Sequence, residues 1–249
     1  MRCAMMQPTF LPWQGLFELL LEADRFVFLD DFQFSLQSYQ QRNRLFVDRG
    51  RVDWYSVPVR KESYRAPLNE AHVAAHDRWQ QKMLKRIQAN YVRAPFFAEL
   101  YPWLELWLGA EHQSLAALNM AFIGHACELM GIATELLLSS DRPSQAQRSE
   151  RVLELVHWCE ADTYLSARGS FGYMLEEGIF PSPGLEVVFQ DFDCRPYPQV
   201  GAAGEFVSHL SVLDALMNVG PEATLELVRG GTRRWIEWNE MVASAPEAA

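Results

Sequence analysis

MQPTFLPWQGLFELLLEADRFVFLDDFQF, from Met6 to Phe34, decides how the chain is read. A short apolar run, Cys3 to Met6, is stopped by Pro8 and Pro12, which fix φ and donate no ladder hydrogen bond. Gly15 permits a close backbone approach, and Leu16, Phe17, Leu19, Leu20 and Leu21 carry a helical apolar pattern that ends near Asp24. Arg25 to Leu29 is then apolar enough for a strand covered on both faces, the mark of parallel strands in α/β domains. Two carboxylates, Asp30 and Asp31, stand together at its end. In open parallel sheets the ligand crevice lies beyond the carboxyl ends of the strands, so Gln7–Gly15 and Asp30–Gln33 are expected to open onto one edge.

Outward from this unit the chain alternates strands and helices. Arg42, Asn43 and Arg44 close an amide-rich segment and set two fork-shaped donors around an amide, a group suited to phosphate or carboxylate. Leu45–Val47 and Val52–Val59 read as a hairpin through Asp48-Arg-Gly50. Three amphipathic helices follow over 77–131, with Asp77 as first N-cap and Gly131 as final C′ residue; they predict a helical insertion. Strands are expected at Ile132–Leu138, Asp162–Ser166 and Leu185–Phe192. Arg148, at a helix start, suits an anion, and Arg168-Gly-Ser170-Phe-Gly172-Tyr173 forms a glycine loop after a strand. Ser211 and Asp214 have capping-box spacing. Pro221 opens a last helix, Thr232–Met241 is expected to extend the helical end, and 244–249 reads as a disordered tail. The expectation is a single α/β domain over 1–243, Rossmann-like, with a mostly parallel sheet and helices on both faces.

Composition narrows the function. With 49% hydrophobic and 22% charged residues the 249-residue chain is an ordinary globular one that can bury a sizeable core. Its net charge of −10 argues against nucleic acid as the main partner, which would demand a basic face. The four cysteines form no C-x-x-C pair, no apolar run approaches the roughly 18 residues of a membrane span, and the prolines interrupt any signal peptide. A cytoplasmic chain without membrane insertion is expected. His72 and His76 are the one histidine pair at helical spacing, in a stretch without helical pattern, so no metal site is expected. No G-x-S-x-G elbow is present.

Several segments together resemble the WbqC-like proteins: MQPTFLPWQGLF, ADRFVFLDDFQF, QRNR, ADTYLS with its glycine loop and Tyr173, and PYPQ followed by FVSHLSVLDALMNVG. The likeness runs from Met6 to about Gly220. It implies a place in bacterial surface-polysaccharide (O-antigen, lipopolysaccharide) biosynthesis and transfer of glycine onto a sugar amine. By position, the matching polar residues are Gln7, Trp13, Asp30, Asp31, Gln33, Arg42, Asn43, Arg44, Tyr164, Ser166, Tyr173, Gln199, Ser211, Asp214 and Asn218. The opening βαβ unit is also similar to nucleotidyl-transferring domains whose H-x-G-H motif binds ATP phosphates; here Trp13-Gln14-Gly15-Leu16 stands there and both histidines are missing.

Three functions therefore stay open. The first is a transferase placing an aminoacyl or acyl group on an amino sugar or nucleotide sugar. Asp30 or Asp31 would act as base, Arg42 and Arg44 would clamp phosphate, and Gln7, Trp13, Gln33, Asn43, Tyr164, Ser166, Arg168, Tyr173 and Gln199 would bind substrate. The second is an amino-acid-activating ligase using ATP, with Mg2+ on the aspartate pair. The third is a non-catalytic sugar-binding subunit. The residues fix no cofactor; ATP with Mg2+ and an activated acyl or aminoacyl donor are the candidates, the expected partner is a small molecule such as a nucleotide sugar or amino acid, and a homo-oligomer is compatible with each.

Overall fold

The computed structural model describes residues 1–74 and 78–245; the expected cap Asp77, His76 and the 246–249 part of the expected tail lie outside them. Eight strands and eight α-helices follow one another among the described residues. They are β1 (Arg2–Met6), α1 (Gln14–Glu22), β2 (Arg25–Phe28), β3 (Arg42–Asp48), β4 (Arg51–Ser56), α2 (Trp79–Tyr91), α3 (Phe97–Gly109) and α4 (Leu115–Met130). The second half adds β5 (Glu135–Leu138), α5 (Arg148–Trp158), β6 (Thr163–Ala167), α6 (Phe171–Glu177), β7 (Glu186–Phe192), α7 (Val212–Arg229), β8 (Thr232–Glu237) and α8 (Trp238–Ser244).

Six strands form one sheet in the order β5-β2-β1-β6-β7-β8, parallel except for β8, which runs antiparallel to β7. The chain builds outward from β1 through β2 to β5, returns to lay β6 on the other side of β1, and builds outward again. This is the order of a Rossmann-like sheet, with its reversal between β1 and β6. Cys3 pairs with Tyr164 and Ala4 with Leu165 across that line.

Strand alternation divides the core between two faces. Ala4, Phe26, Phe28 and Leu165 pack with α1, α3, α4 and α7, whereas Cys3, Met5, Val27, Tyr164 and Phe189 pack with α5, α6 and α8. Helices therefore cover both faces, which is why the strands read as unbroken apolar runs. Helices α2–α4 occupy the stretch expected to be helical, and β3 and β4 pair as a separate antiparallel hairpin.

Two local readings need correction. Arg42–Arg44, expected to precede the hairpin as a polar loop, begin β3 itself, because their backbones pair with Ser56, Tyr55 and Trp54. Thr232–Glu237 is an edge strand rather than a helical extension: Gly230 and Gly231 end α7, and only Ile236 is buried, against Phe189 of β7. Helix α7 is itself broken at Gly220, where φ is 80° and ψ 172°, and Pro221 starts its second half. Among the described residues no helix is long and apolar enough to cross a membrane.

Candidate functional site

Two cavities open beyond the carboxyl end of β1, where the strand order reverses, and Met6 lines both. The segment that separates them is Gln7–Trp13, which replaces the short glycine turn of a dinucleotide-binding sheet. It is held from many sides. Asn119, fully buried in α4, donates from Nδ2 to the carbonyls of Pro8 at 2.9 Å and Gln40 at 2.8 Å. Phe10 donates its N–H to the Tyr39 carbonyl at 2.9 Å, and Val212 donates to Pro12 at 2.7 Å. Leu11 is buried in the left-handed region at φ 44°, and Asn43 Nδ2 donates to its carbonyl at 2.7 Å. A leucine is rarely found there, so the surroundings impose this backbone.

Trp13 closes the segment as the N-cap residue of α1. Its indole stacks on the His209 ring with centroids 5.2 Å apart and meets Phe192 edge-on at 5.0 Å. A Cβ on Gly15 would come within 2.4 Å of the indole Cζ2, so the ring lies directly on the first turn of α1. In dinucleotide-binding sheets that turn seats the pyrophosphate; here tryptophan covers it. Gly15→Ala is expected to push the ring out, lower stability by about 1–3 kcal/mol and close the adjoining cavity, which urea unfolding and quenching of tryptophan fluorescence would register.

The first cavity, about 370 Å3, is lined by Met5, Met6, Gln7, Leu29, Phe32, Arg148, Val152, Tyr164, Ser166, Ala167, Ser170 and Tyr173. Its polar groups converge from four elements. Gln7 accepts from Gln40 Nε2 on its Oε1 at 2.7 Å, and its amide nitrogen has no protein acceptor among the described residues. Ser166 Oγ lies 2.6 Å from Ser170 Oγ, whose own hydroxyl donates to the Ala167 carbonyl at 2.7 Å, so the shared proton is that of Ser166. The Tyr164 hydroxyl lies 3.4 Å from Ser166 Oγ. Burial holds the Tyr164 and Tyr173 hydroxyls above the usual tyrosine range, so both stay protonated donors. Arg148, at φ 51°, starts α5 and pairs with Glu177 at 2.9 Å. Hydrogen bonds from Ser149 hold the Glu177 carboxyl below its ordinary value. The cavity thus offers donors and one cation, and no carboxylate lines it.

The second cavity, about 320 Å3, is lined by Met6, Thr9, Trp13, Tyr39, Asn43 and His209. It differs in chemistry: two aromatic rings, two hydroxyls, an amide and an imidazole, with neither arginine nor lysine among its lining residues. Arg42 and Arg44 lie on the opposite side of β3 from Asn43 by strand alternation. The Arg42 guanidinium stacks over Trp54 at 4.2 Å, and Arg44 Nη2 donates to the His209 carbonyl at 3.4 Å.

The twin aspartates sit elsewhere. Asp30 is 3% exposed and accepts from Ser140 N at 3.0 Å, Ser140 Oγ at 2.7 Å, Ser139 Oγ at 3.2 Å and Asn69 Nδ2 at 3.3 Å. Asp31 takes the Ser139 hydroxyl and the nearly buried Arg151 at 3.4 Å. These contacts tie the end of β2 to that of β5, and neither carboxylate lines either of the two cavities. With their oxygens so engaged the pair does not fit the Mg2+ of an ATP site. Among the described residues no group of three or more His, Cys, Asp or Glu is placed to hold a metal.

Of the other expected site residues, Gln7, Tyr164, Ser166 and Tyr173 meet in the first cavity and Trp13 and Asn43 in the second. Arg168 pairs with Asp191 at 3.3 Å at the surface, Gln33 is exposed, and Gln199 binds Asp214 at 2.8 Å; none of the three lines either cavity. Ser170, Thr9, Tyr39, Gln40, Asn119 and His209 were not singled out by sequence. A buried asparagine in the apolar stripe of α4 was the one local signal among them, because a lone amide in such a place needs partners.

A family model described as the WbqC-like protein family matches residues 7–226. The protein Rv1507c of Mycobacterium tuberculosis, described as uncharacterized, is 31% identical over 225 residues, which are 89% of this chain and 95% of that protein. No solved structure matches at a significant level. The family match begins at Gln7, the first residue past β1, and takes in every strand of the sheet except β1 and β8 and the lining of both cavities except Met5 and Met6; the chain belongs to the WbqC-like protein family.

Proposed function

We propose that the protein is a transferase that places an acyl or aminoacyl group, glycyl among them, on the amine of an amino sugar carried by a nucleotide, in the making of a bacterial surface polysaccharide. One observation carries the reading: two cavities of unlike chemistry share the Met6 wall at the sheet's reversal point. A nucleotide-linked sugar has an anionic end and a neutral or cationic end. The cavity with Arg148 and its ring of donors suits the anionic end, and the aromatic cavity without arginine or lysine suits the sugar. Tyr164, Ser166, Tyr173 and Gln7 would position the nucleotide. The activated donor would arrive at the open side of the aromatic cavity.

Incubation with UDP-glucosamine and a glycyl or acetyl thioester, followed by mass spectrometry, should reveal an amide product. Pyrophosphate release from ATP in the presence of glycine, without amide formation, would instead identify a ligase, and binding without turnover a sugar-binding subunit. Arg148→Ala is expected to weaken UDP-glucosamine binding about tenfold, through loss of a charge-assisted contact of about 1.5 kcal/mol. Isothermal titration checks this, and an unchanged affinity would remove Arg148 from the site.

A further inference from the structure

His209 is an unusual residue in this fold. It occupies the left-handed region at φ 58°, a conformation that costs a non-glycine residue about 1–3 kcal/mol, and such strain gathers at ligand sites. Its carbonyl takes a hydrogen bond from Arg44 Nη2 at 3.4 Å, and its ring is stacked on Trp13. Ser208 Oγ lies 2.9 Å from Nδ1. With the ring proton on Nδ1 and Ser208 accepting, Nε2 carries a free lone pair and has no protein partner among the described residues. His209 lines the aromatic cavity, and neither Asp, Glu, Arg nor Lys does. It is therefore the one lining side chain of either cavity that presents an unpartnered basic nitrogen, the type of group that serves as a general base.

We propose that the aromatic cavity is the acceptor site and that His209 is its general base. The inference rests on the transferase reading. The sugar's ammonium first sheds a proton to water. Its nitrogen lone pair then attacks the acyl carbon of the donor ester or thioester and forms the C–N bond. Nε2 takes the second proton as the tetrahedral intermediate forms. When the carbon–oxygen or carbon–sulfur bond breaks, the electron pair leaves with the carrier atom, and Nε2 returns the proton to it. Nothing is oxidised or reduced, and the donor is the only co-reactant. Thr9 and Tyr39 bring hydroxyls without protein partners among the described residues to the same cavity, where a sugar's own hydroxyls would meet them.

His209→Asn is the informative variant, because asparagine tolerates the left-handed backbone and cannot act as a base. Single turnover with UDP-glucosamine and an acyl thioester is expected to slow by about 10^2–10^4-fold. The variant should stay folded, and its UDP-glucosamine affinity should fall far less than its turnover, by no more than about tenfold. Turnover within about threefold of wild type would overturn the proposal. If the wild type transfers nothing from ester or thioester donors, the transferase reading fails on its own. The site is then judged by NMR: the His209 ring Cε1–H resonance should move with UDP-glucosamine and not with UDP-glucose, and equal or absent shifts would refute an amine at Nε2.

Discussion

Asp214→Ala should be among the most destabilising single substitutions in this chain. Asp214 is fully buried in α7 and receives Tyr91 OH, Tyr197 OH and Gln199 Nε2, each at 2.8 Å. Tyr91 is fully buried too and accepts the N–H of Phe46, so the carboxylate links α2, the β3–β4 hairpin and the 195–207 segment. Alanine leaves three donors facing an apolar hole, at a cost of about 3 kcal/mol or more. The effect reaches the site because Gln199 also holds the Val207 backbone, two residues before His209. Urea unfolding measures the loss; a change under about 1 kcal/mol would mean the donors find water instead.

The same residue sets a pH dependence. Burial pushes the Asp214 carboxyl above its ordinary 3.8, while its three donors pull the other way without overcoming it. Glu18, held by Thr232 and Gln190 beneath α1, is raised for the same reason. A carboxyl raised on folding contributes stability that is complete below its unfolded value and lost as pH rises through the folded one. The stability gap between wild type and Asp214→Ala should therefore be widest below the unfolded value, narrow as pH climbs from there to the raised value, and level off above it. Comparing the two proteins cancels the other groups, among them Asp53 and Asp162, whose lowered carboxyls act in the opposite sense.

The sheet was legible because buried parallel strands need no alternation: Cys3–Met6 and Arg25–Leu29 are apolar on both sides, and no other element suits that pattern at that length. Edge strand β8 was not, since Arg233 and Arg234 face solvent and a single buried isoleucine marks its inner side. The first cavity was partly legible, as Gln7 directly follows β1, Ser166 stands near the end of β6 and Tyr173 lies in the helix after it. The second was hidden in long-range geometry. Trp13 and His209 stack across nearly the whole chain, and nothing near His209 in sequence separates it from a solvated loop histidine. Asp214 met the spacing of a helix cap, yet Ser211 instead caps Leu213, and the aspartate turns inward to two tyrosines.

Asp30 poses the sharpest choice between two roles for one residue. A general base should tolerate asparagine in stability and lose activity. A buried acceptor should do the reverse, because an amide offers one oxygen where Asp30 offers two, and turns an NH2 toward groups that are themselves donors. Ser140 contributes both its N–H and its hydroxyl, and Asn69 adds its side-chain amide. The contacts join β2 to the turn after β5, whose strands pair from Arg25–Glu135 to Phe28–Leu138, so their loss frees the sheet edge beside the first cavity. Asp30→Ala is expected to cost about 3–4 kcal/mol and Asp30→Asn about 2 kcal/mol. Asp31→Asn, which takes one carboxylate from the nearly buried Arg151 but leaves it Glu154 and the Ser139 carbonyl, should cost about 1–2 kcal/mol. Unfolding curves for the three variants, read beside the turnover of those that remain folded, decide the matter. A fully stable Asp30→Asn protein without activity would return the aspartate to the catalytic role and take it from His209.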